Sequence, residues 1–177
     1  MKILLCTPTF VTGKGGIPSY ARDFVDVFKK DHEIVVVTGG KDIQDSPCKL
    51  YYVENRDLSL KNANKLLDII QNEKPDIVIN SASLILSVLS PFIDNNIKII
   101  SISHFVDGYY AKVAGTNSKY IDKIVALSSF GKLHIERKYS VKEKDKVVTI
   151  FNFMPPLQNI PDCNKEQNDV INIVYPG

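Results

Sequence analysis

Apolar residues divide the chain into short hydrophobic runs separated by amphipathic segments. Seven such runs, each five to seven residues long, are bounded by charged or turn-forming residues. Short runs that are apolar at most successive positions are typical of parallel strands buried on both faces. The predicted strands cover residues 2–6, 33–37, 49–53, 76–80, 97–103, 122–128 and 146–151.

The segments between the strands predict helices. The clearest pattern runs from Ile17 to Phe28, with apolar residues at i, i+3, i+4 and i+7 and with Pro18 in the first turn, where its missing N–H costs nothing. Weaker patterns predict helices over residues 60–70, 83–93 and 129–139. This alternation predicts an α/β fold with right-handed crossovers and an open, doubly wound, mostly parallel sheet of the Rossmann-like type.

The last part of the chain has a different composition. Residues 155–169 are rich in proline and polar residues and follow neither period, so they are interpreted as a linker. Residues 170–177 form another apolar run, after which the sequence ends. We therefore expect one domain over residues 1–154 and, in 170–177, the first strand of a truncated second domain. A terminal strand that folds back onto the first domain is the alternative.

Composition and charge restrict the class of protein. The chain has 177 residues, 44% apolar and 24% charged, which is ordinary for a soluble globular domain. A formal net charge of +2 does not indicate a nucleic-acid partner, which normally shows a concentrated basic face. Cys6, Cys48 and Cys163 form no CxxC pair and suggest neither a disulfide framework nor a zinc site, so a reducing, cytoplasmic setting is expected.

Two segments bear on membranes. The apolar start of the chain meets Pro8 within a few residues, which is too short for a signal sequence or a bilayer span. The basic segment 132–139 is interpreted as a solvated helix face. Peripheral contact with an anionic membrane surface, at the inner face of the membrane, is the second interpretation of that segment.

Polar residues follow the predicted strands and should meet at one edge of the sheet, because ligands of open parallel sheets bind outside the carboxyl ends of the strands. Turn-forming residues are common at strand ends in any protein, so part of this rim is expected to be structural. The rim consists of Thr7, Thr9, Thr38, Gly39, Gly40, Asn80, Ser81, His104, Ser128, Ser129 and Asn152.

A glycine-rich loop, "TGKGGIPS" at residues 12–19, lies between the first strand and the first helix. Backbone N–H groups and a helix N-terminus in this position form an anion site, so Gly15 and Gly16 are candidate phosphate-binding residues. The loop lacks both standard fingerprints, since Pro8 and Pro18 stand where the Walker and GxGxxG patterns need glycine. A simple flexible turn is the alternative.

His104 is the histidine of greatest interest. It ends the apolar run "IISIS" and is followed by "FVDGYY", which we interpret as a loop with an acid and three aromatic residues. An imidazole at this edge can donate a hydrogen bond to a sugar hydroxyl or a phosphate oxygen, or act as an acid or base. A structural histidine at a strand end is an equally open interpretation.

The ordered set of these segments resembles the amino-terminal domain of a family 4 glycosyltransferase, a retaining enzyme of the two-domain GT-B fold. The resemblance covers nearly all of residues 1–154. It is carried by "MKILLCTPTF", "GKGGIPSYARDFVDVFKKDHEIVVVTGG", "KPDIVIN", "IISISHF", "DKIVALSSFGKLHIERKY" and "KVVTIFNFM", and "INIVYPG" resembles the strand that opens the second domain.

The resemblance implies roles for individual residues. The backbone of Gly15 and Gly16 would approach the diphosphate of a nucleotide-sugar donor, and His104 would contact the transferred sugar or its leaving phosphate. Ser81 and Asn152 are the other candidate substrate-binding residues. Phe153 follows Asn152 where the family has glycine, so the turn there differs. The family's basic residue and paired glutamates, which hold the donor, belong to the other domain.

The expected function is therefore that of one half of an enzyme. The complete transferase would move a sugar from a nucleotide-sugar donor to a saccharide or lipid acceptor, with no metal and no cofactor, whereas the fragment alone would be inactive. No two aspartates are separated by one residue, so the metal-binding DxD clamp of the other large glycosyltransferase fold is missing. The alternatives are a nucleotide-sugar epimerase of similar architecture, a stand-alone ligand-binding module, and a nicotinamide-binding domain in which Asp42 mimics a ribose-binding acid.

Overall fold

The computed structural model describes residues 1–10, 15–40, 46–106, 108–139, 141, 143 and 145–152. Within these residues a seven-stranded sheet is flanked by helices on both faces. The strands are β1 (Lys2–Thr7), β2 (Glu33–Thr38), β3 (Lys49–Tyr52), β4 (Ile77–Ser81), β5 (Lys98–Ser103), β6 (Lys123–Ala126) and β7 (Val147–Thr149). The helices are α1 (Gly16–Phe28), α2 (Leu60–Glu73), α3 (Leu84–Leu89), α4 (Gly108–Gly115) and α5 (Ser129–Lys138).

The strand order is β3-β2-β1-β4-β5-β6-β7, and every neighbouring pair is parallel. The chain builds outward from β1 in one direction and then, from β4, in the other. The predicted doubly wound parallel sheet is confirmed. Its topological switch point lies between β1 and β4, and the crevice at the carboxyl ends beside such a point is where this class of sheet binds ligands.

The core lies on both faces of β1. Leu4 points into the layer formed with α2 and α3, where it packs with Leu66 and Leu86. Leu5 points to the opposite layer, which contains Phe24 of α1. Successive side chains of a strand alternate between faces, so both faces of the central strand are buried, as its unbroken apolar sequence predicts.

Two helical regions differ from the sequence prediction. Residues 83–93 were predicted as one helix, but α3 ends at Leu89 and a 3-10 turn follows over Ser90–Phe92. Pro91 explains this ending, because proline removes a backbone donor and clashes inside an α-helix. The segment "FVDGYY", interpreted as a loop, instead contributes Gly108, Tyr109 and Tyr110 to the start of α4.

A charged cluster ties the amino ends of the strands to the end of α2. The Glu73 carboxylate contacts Lys2 Nζ at 2.6 Å and Lys49 Nζ at 2.5 Å, and it also accepts a hydrogen bond from the Tyr51 hydroxyl. These contacts lower the pKa of Glu73 to about 2, with the Lys2 contact making the largest contribution. We call Glu73, Lys2, Lys49 and Tyr51 the amino-edge cluster.

The predicted linker (155–169) and the predicted strand (170–177) lie outside the described residues, so the division into domains stays a prediction. Within the described part, no helix is long and apolar enough to cross a bilayer.

Candidate functional site

A pocket of about 350 Å³ opens at the carboxyl edge of the sheet. It lies between the start of α1 and the residues that follow β5, β6 and β7. It brings together four of the five predicted site residues: Gly15, Gly16, His104 and Asn152. The full lining is Gly15, Gly16, Ile17, Pro18, His104, Phe105, Tyr110, Leu127 and Asn152.

The glycines form the α1 side of the pocket. Gly15 is the N-cap of α1 and has φ +117, a conformation that favours glycine, and it has no side chain to cap the first-turn N–H groups. A Cβ added at Gly15 or Gly16 would meet no other atom within 4 Å. Among the described residues the space over both glycines is therefore open, and no side chain caps the helix start. First-turn N–H groups and the positive end of the helix dipole favour an anion there.

His104 follows the last residue of β5 and forms the opposite wall. Its Nε2 lies 2.8 Å from Ser81 Oγ, and its ring makes an edge contact with the Tyr20 ring at 5.2 Å between centroids. Burial lowers the pKa of His104 to about 4. The imidazole is therefore neutral at pH 7, and its Nδ1 makes no hydrogen bond to any residue in the described part of the chain.

Ser81 ends β4, beside β5, and is fully buried. It does not line the pocket, and its hydroxyl is directed at the His104 ring. The contact that the structure gives Ser81 is thus one that orients the histidine, while direct substrate binding by this residue stays a prediction.

Asn152 lies three residues beyond the end of β7, where it is exposed and lines the pocket. Its side-chain amide offers both donors and an acceptor to a ligand in the pocket. This is the placement that the strand-end rule predicts for a residue after an edge strand.

Sequence reasoning did not single out two aromatic neighbours of this site. Tyr20 was counted only as part of the apolar stripe of α1, yet it packs against His104. Tyr110 lines the pocket and stacks on Phe105, with 5.1 Å between ring centroids. The cluster of aromatic residues after His104 was the available signal, but which ring faces the pocket depends on the helix α4 that the sequence did not reveal.

The described residues hold no group of three or more His, Cys, Asp or Glu side chains arranged to bind a metal ion. Cys6 is buried and Cys48 is half-buried, and both are free thiols. Burial raises the pKa of each of these two thiols, which disfavours the thiolate form.

No model of a known protein family and no curated protein matches the chain. Solved structures that resemble it include a co-structure of S. aureus MnaA with UDP, at 19% identity and a TM-score of 0.60 over 84% of this chain. Another is a putative UDP-N-acetylglucosamine 2-epimerase from Listeria monocytogenes, at 12% identity and a TM-score of 0.55 over 82% of this chain. This chain spans 43% of the length of each.

At these identities the likeness is one of fold. The described residues form a Rossmann-like α/β domain that resembles one domain of a GT-B-like architecture, as the sequence predicts.

Proposed function

We propose that this chain is the amino-terminal domain of an enzyme that transfers a sugar from a nucleotide-sugar donor to a saccharide or lipid acceptor, with retention and without a metal. The observation that carries the proposal is the pocket at the carboxyl edge, where the start of α1 faces a neutral histidine and Asn152. One side of the pocket suits a phosphate, and the other offers uncharged hydrogen-bonding groups of the kind that hold a sugar.

In this proposal the donor diphosphate lies over Gly15 and Gly16. The open space above both residues lets backbone N–H groups approach the phosphate oxygens without a side chain between them. Negative charge develops on the departing phosphate as the bond to the sugar breaks. Fixed N–H groups and the dipole of α1 stabilise that charge without having to reorganise during the reaction.

The neutral state of His104 defines what this residue can contribute. With its pKa near 4 it carries no charge at pH 7, so it offers one donor and one acceptor rather than a cation. Ser81 holds Nε2, which leaves Nδ1 for a hydroxyl of the sugar or an oxygen of the phosphate. We expect His104 to position the donor sugar.

A nucleotide-sugar epimerase of similar architecture is the second candidate. The structure with UDP and the putative 2-epimerase, named above, favour it. Inversion at a carbon requires a proton to leave and another to return, which calls for an acid and a base beside the sugar. The segment at residues 128–139 favours the transferase, because it resembles the corresponding strand-to-helix step of family 4 glycosyltransferases. A stand-alone binding module, the third candidate, would bind a nucleotide sugar without turnover.

A binding titration tests the nucleotide site. UDP and GDP sugars are titrated into the 177-residue chain and into any longer gene product that contains it, each with Gly16→Trp. A Cβ added at Gly16 meets nothing within 4 Å, and the larger indole would take up space in the pocket that Gly16 lines. We expect at least a tenfold rise in Kd, an effect of about 1.4 kcal/mol. Lys30→Trp, just beyond the other end of α1, is the matched control, and equal effects of the two substitutions would refute the site.

An assay in D₂O separates the two reactions. Proton NMR of the longer gene product with UDP-N-acetylglucosamine and an acceptor should show free UDP and a new glycoside if the protein is a transferase. Epimerisation would instead exchange a sugar C–H for deuterium and leave a second UDP-sugar, because that C–H bond must break. Deuterium incorporation with no glycoside would replace our proposal with the epimerase.

A further inference from the structure

Three aromatic rings and one guanidinium form a continuous row that leads away from the pocket. Phe105 stacks on Tyr110 at 5.1 Å, and Tyr110 makes an edge contact with Tyr109 at 5.4 Å. The guanidinium carbon of Arg56 lies over the Tyr109 ring, 5.5 Å from its centroid. Phe105 and Tyr110 also line the pocket. We call Phe105, Tyr110, Tyr109 and Arg56 the aromatic row.

Arg56 is exposed, and no carboxylate of the described residues lies within ion-pair distance of it. The two acids beside it in the loop are engaged elsewhere. Glu54 accepts a hydrogen bond from the Tyr52 hydroxyl at 3.0 Å, and Asp57 accepts from Ser59 N at 2.9 Å and from Asn62 Nδ2 at 2.8 Å. The positive charge of Arg56 is thus available to an outside anion.

The loop that carries Arg56 is fixed to the candidate site. Asn55 is buried, and its Nδ2 donates to the Ala82 carbonyl at 3.1 Å. Ala82 directly follows Ser81, which contacts His104. Ala82 has φ +67, a conformation that alanine adopts only when its surroundings impose it. These contacts hold Arg56 at a defined place relative to the pocket.

The chemistry of the row indicates its ligand. Phe105 exposes 60% of its surface beside the pocket, and aromatic faces bind the C–H faces of sugar rings by apolar contact. A guanidinium that lies over a ring keeps N–H donors available for the oxygens of a phosphate or a carboxylate. The row therefore offers a surface for a sugar ring at one end and for an oxyanion at the other.

We propose that the aromatic row is the acceptor subsite and that it takes a saccharide bearing an anionic group, a phosphate or a carboxylate. The sugar ring packs on Phe105 and Tyr110, next to the donor pocket, and the oxyanion contacts Arg56. This inference rests on the proposed function, since it names the chemical class of the second substrate.

Binding of small probes tests the subsite. Glucose 1-phosphate, methyl glucoside and inorganic phosphate are titrated into the chain and into three variants. We expect glucose 1-phosphate to bind more tightly than either other probe, and Arg56→Gln and Tyr109→Leu each to weaken it about tenfold, the loss of one charge-assisted contact. Tyr109→Phe should bind normally, because the Tyr109 hydroxyl has no hydrogen-bond partner among the described residues and only the ring supports Arg56.

The matched control is Lys65→Gln. Lys65 Nζ of α2 lies over the Tyr52 ring of β3, 5.6 Å from its centroid, so this substitution removes the same charge from a similar cation–ring pair. If Lys65→Gln weakens glucose 1-phosphate as much as Arg56→Gln does, the effect is general electrostatics and the subsite is refuted. Inorganic phosphate binding as tightly as glucose 1-phosphate would also refute a saccharide site.

A second arm identifies the source of the anionic sugar. Phosphatidylcholine vesicles with and without phosphatidylinositol present a ring and a phosphate on a lipid. If binding to vesicles depends on Arg56, the acceptor is a lipid. If only the binding of soluble glucose 1-phosphate depends on Arg56, the acceptor is a free sugar phosphate. Binding that ignores Arg56 in both arms refutes the proposal.

The donor experiment fails separately from this one. Arg56→Gln should leave UDP affinity unchanged, because Arg56 does not line the donor pocket. If Arg56-dependent binding of glucose 1-phosphate survives while UDP does not bind the longer gene product either, the nucleotide-sugar function is wrong but the anionic saccharide site stands.

Discussion

The two edges of the sheet use their polar side chains in opposite ways. At the amino edge, Glu73 exposes only 4% of its side chain and contacts two lysines and a tyrosine hydroxyl. At the carboxyl edge, and among the described residues, His104 bonds only Ser81 and leaves its Nδ1 without a partner, and Arg56 has no carboxylate partner. Side chains that are paired with each other stabilise the fold, whereas donors and acceptors without a protein partner are available to a ligand.

Cavity size alone would mislead about which edge binds. A larger cleft, of about 820 Å³, opens at the amino edge between the end of α2 and residues 91–97. Its acids are already used by the backbone: Asp76 accepts from Lys2 N at 2.7 Å, and Asp94 accepts from Asn96 N at 2.9 Å. None of the predicted site residues lies there. The carboxyl-edge pocket is smaller but combines a helix start, a neutral histidine and exposed aromatic rings.

The largest effect should come from removing Glu73. Glu73→Ala would leave Lys2, which exposes 22% of its side chain, without its main counter-charge and would unpair Tyr51. We expect a loss of about 3 kcal/mol in the free energy of unfolding, measured by urea denaturation, with no change in UDP affinity. Glu33→Ala is the control, because Glu33 contacts the same lysine at 2.9 Å but exposes 63% of its side chain. A comparable loss in both variants would contradict the distinction.

His104 at the carboxyl edge and Glu73 at the amino edge should make the free energy of unfolding depend on pH in different ranges. Burial lowers the pKa of His104 to about 4, so between its ordinary value of 6.5 and about 4 the unfolded chain takes up a proton that the folded chain does not, and stability falls as pH falls. The lowered pKa of Glu73 gives a stability that is present above 4.5 and is lost as pH falls through about 2. The His104 range should account for about 3 kcal/mol.

Unfolding measured across both ranges checks this. His104→Gln should remove the pH dependence of the unfolding free energy only between about 4 and 6.5, and Glu73→Gln only between about 2 and 4.5. If His104→Gln leaves the upper range unchanged, the imidazole is not held neutral by burial.

The inner strands could be predicted because they are covered on both faces and are therefore apolar at successive positions. The edge strands β3 and β7 keep enough of the same pattern to be recognised. Helix α4 was not predicted, because it has only eight residues and begins and ends with glycine. Its buried residues Ala111, Ala114 and Gly115 do lie at i, i+3 and i+4, but such small side chains give a weak apolar signal. The helix forms through contacts with β5 and its neighbours, which local sequence does not reveal.

The candidate site also has a part that the sequence predicts and a part that it does not. Gly15, Gly16, His104 and Asn152 were identifiable because parallel strands end at one edge, so that residues far apart in sequence meet there. The contact of Arg56 with Tyr109 was not identifiable. It joins two connecting segments more than fifty residues apart, and no periodicity links a loop arginine to a ring on an unpredicted helix.

The next effect on stability should distinguish two glycines in different surroundings. A Cβ at Gly115 would lie 2.5 Å from Cγ of the Tyr139 ring, so Gly115→Ala must displace that ring. We expect a cost of about 1–3 kcal/mol in unfolding and normal UDP binding. Gly16→Ala, in open space at the start of α1, should leave unfolding almost unchanged. Thermal and urea unfolding of both variants measure the difference, and equal destabilisation would mean that Gly16 also serves packing.

The smallest effect should distinguish two buried serines on neighbouring strands. Ser81 and Ser101 are both fully buried, but Ser81 Oγ contacts His104 whereas Ser101 Oγ has no hydrogen-bond partner among the described residues. Ser81→Ala should lower the free energy of unfolding by about 1 kcal/mol, because it leaves the His104 nitrogen unpaired, and Ser101→Ala should leave it unchanged or raise it slightly.

Nitrogen-15 NMR of the imidazole gives a readout that packing alone would not move. The balance between the Nδ1–H and Nε2–H tautomers should change in Ser81→Ala only, together with a few-fold loss of UDP affinity. If both serine variants leave that balance and the affinity unchanged, Ser81 does not orient His104, and the carboxyl edge holds its histidine by packing against Tyr20 instead.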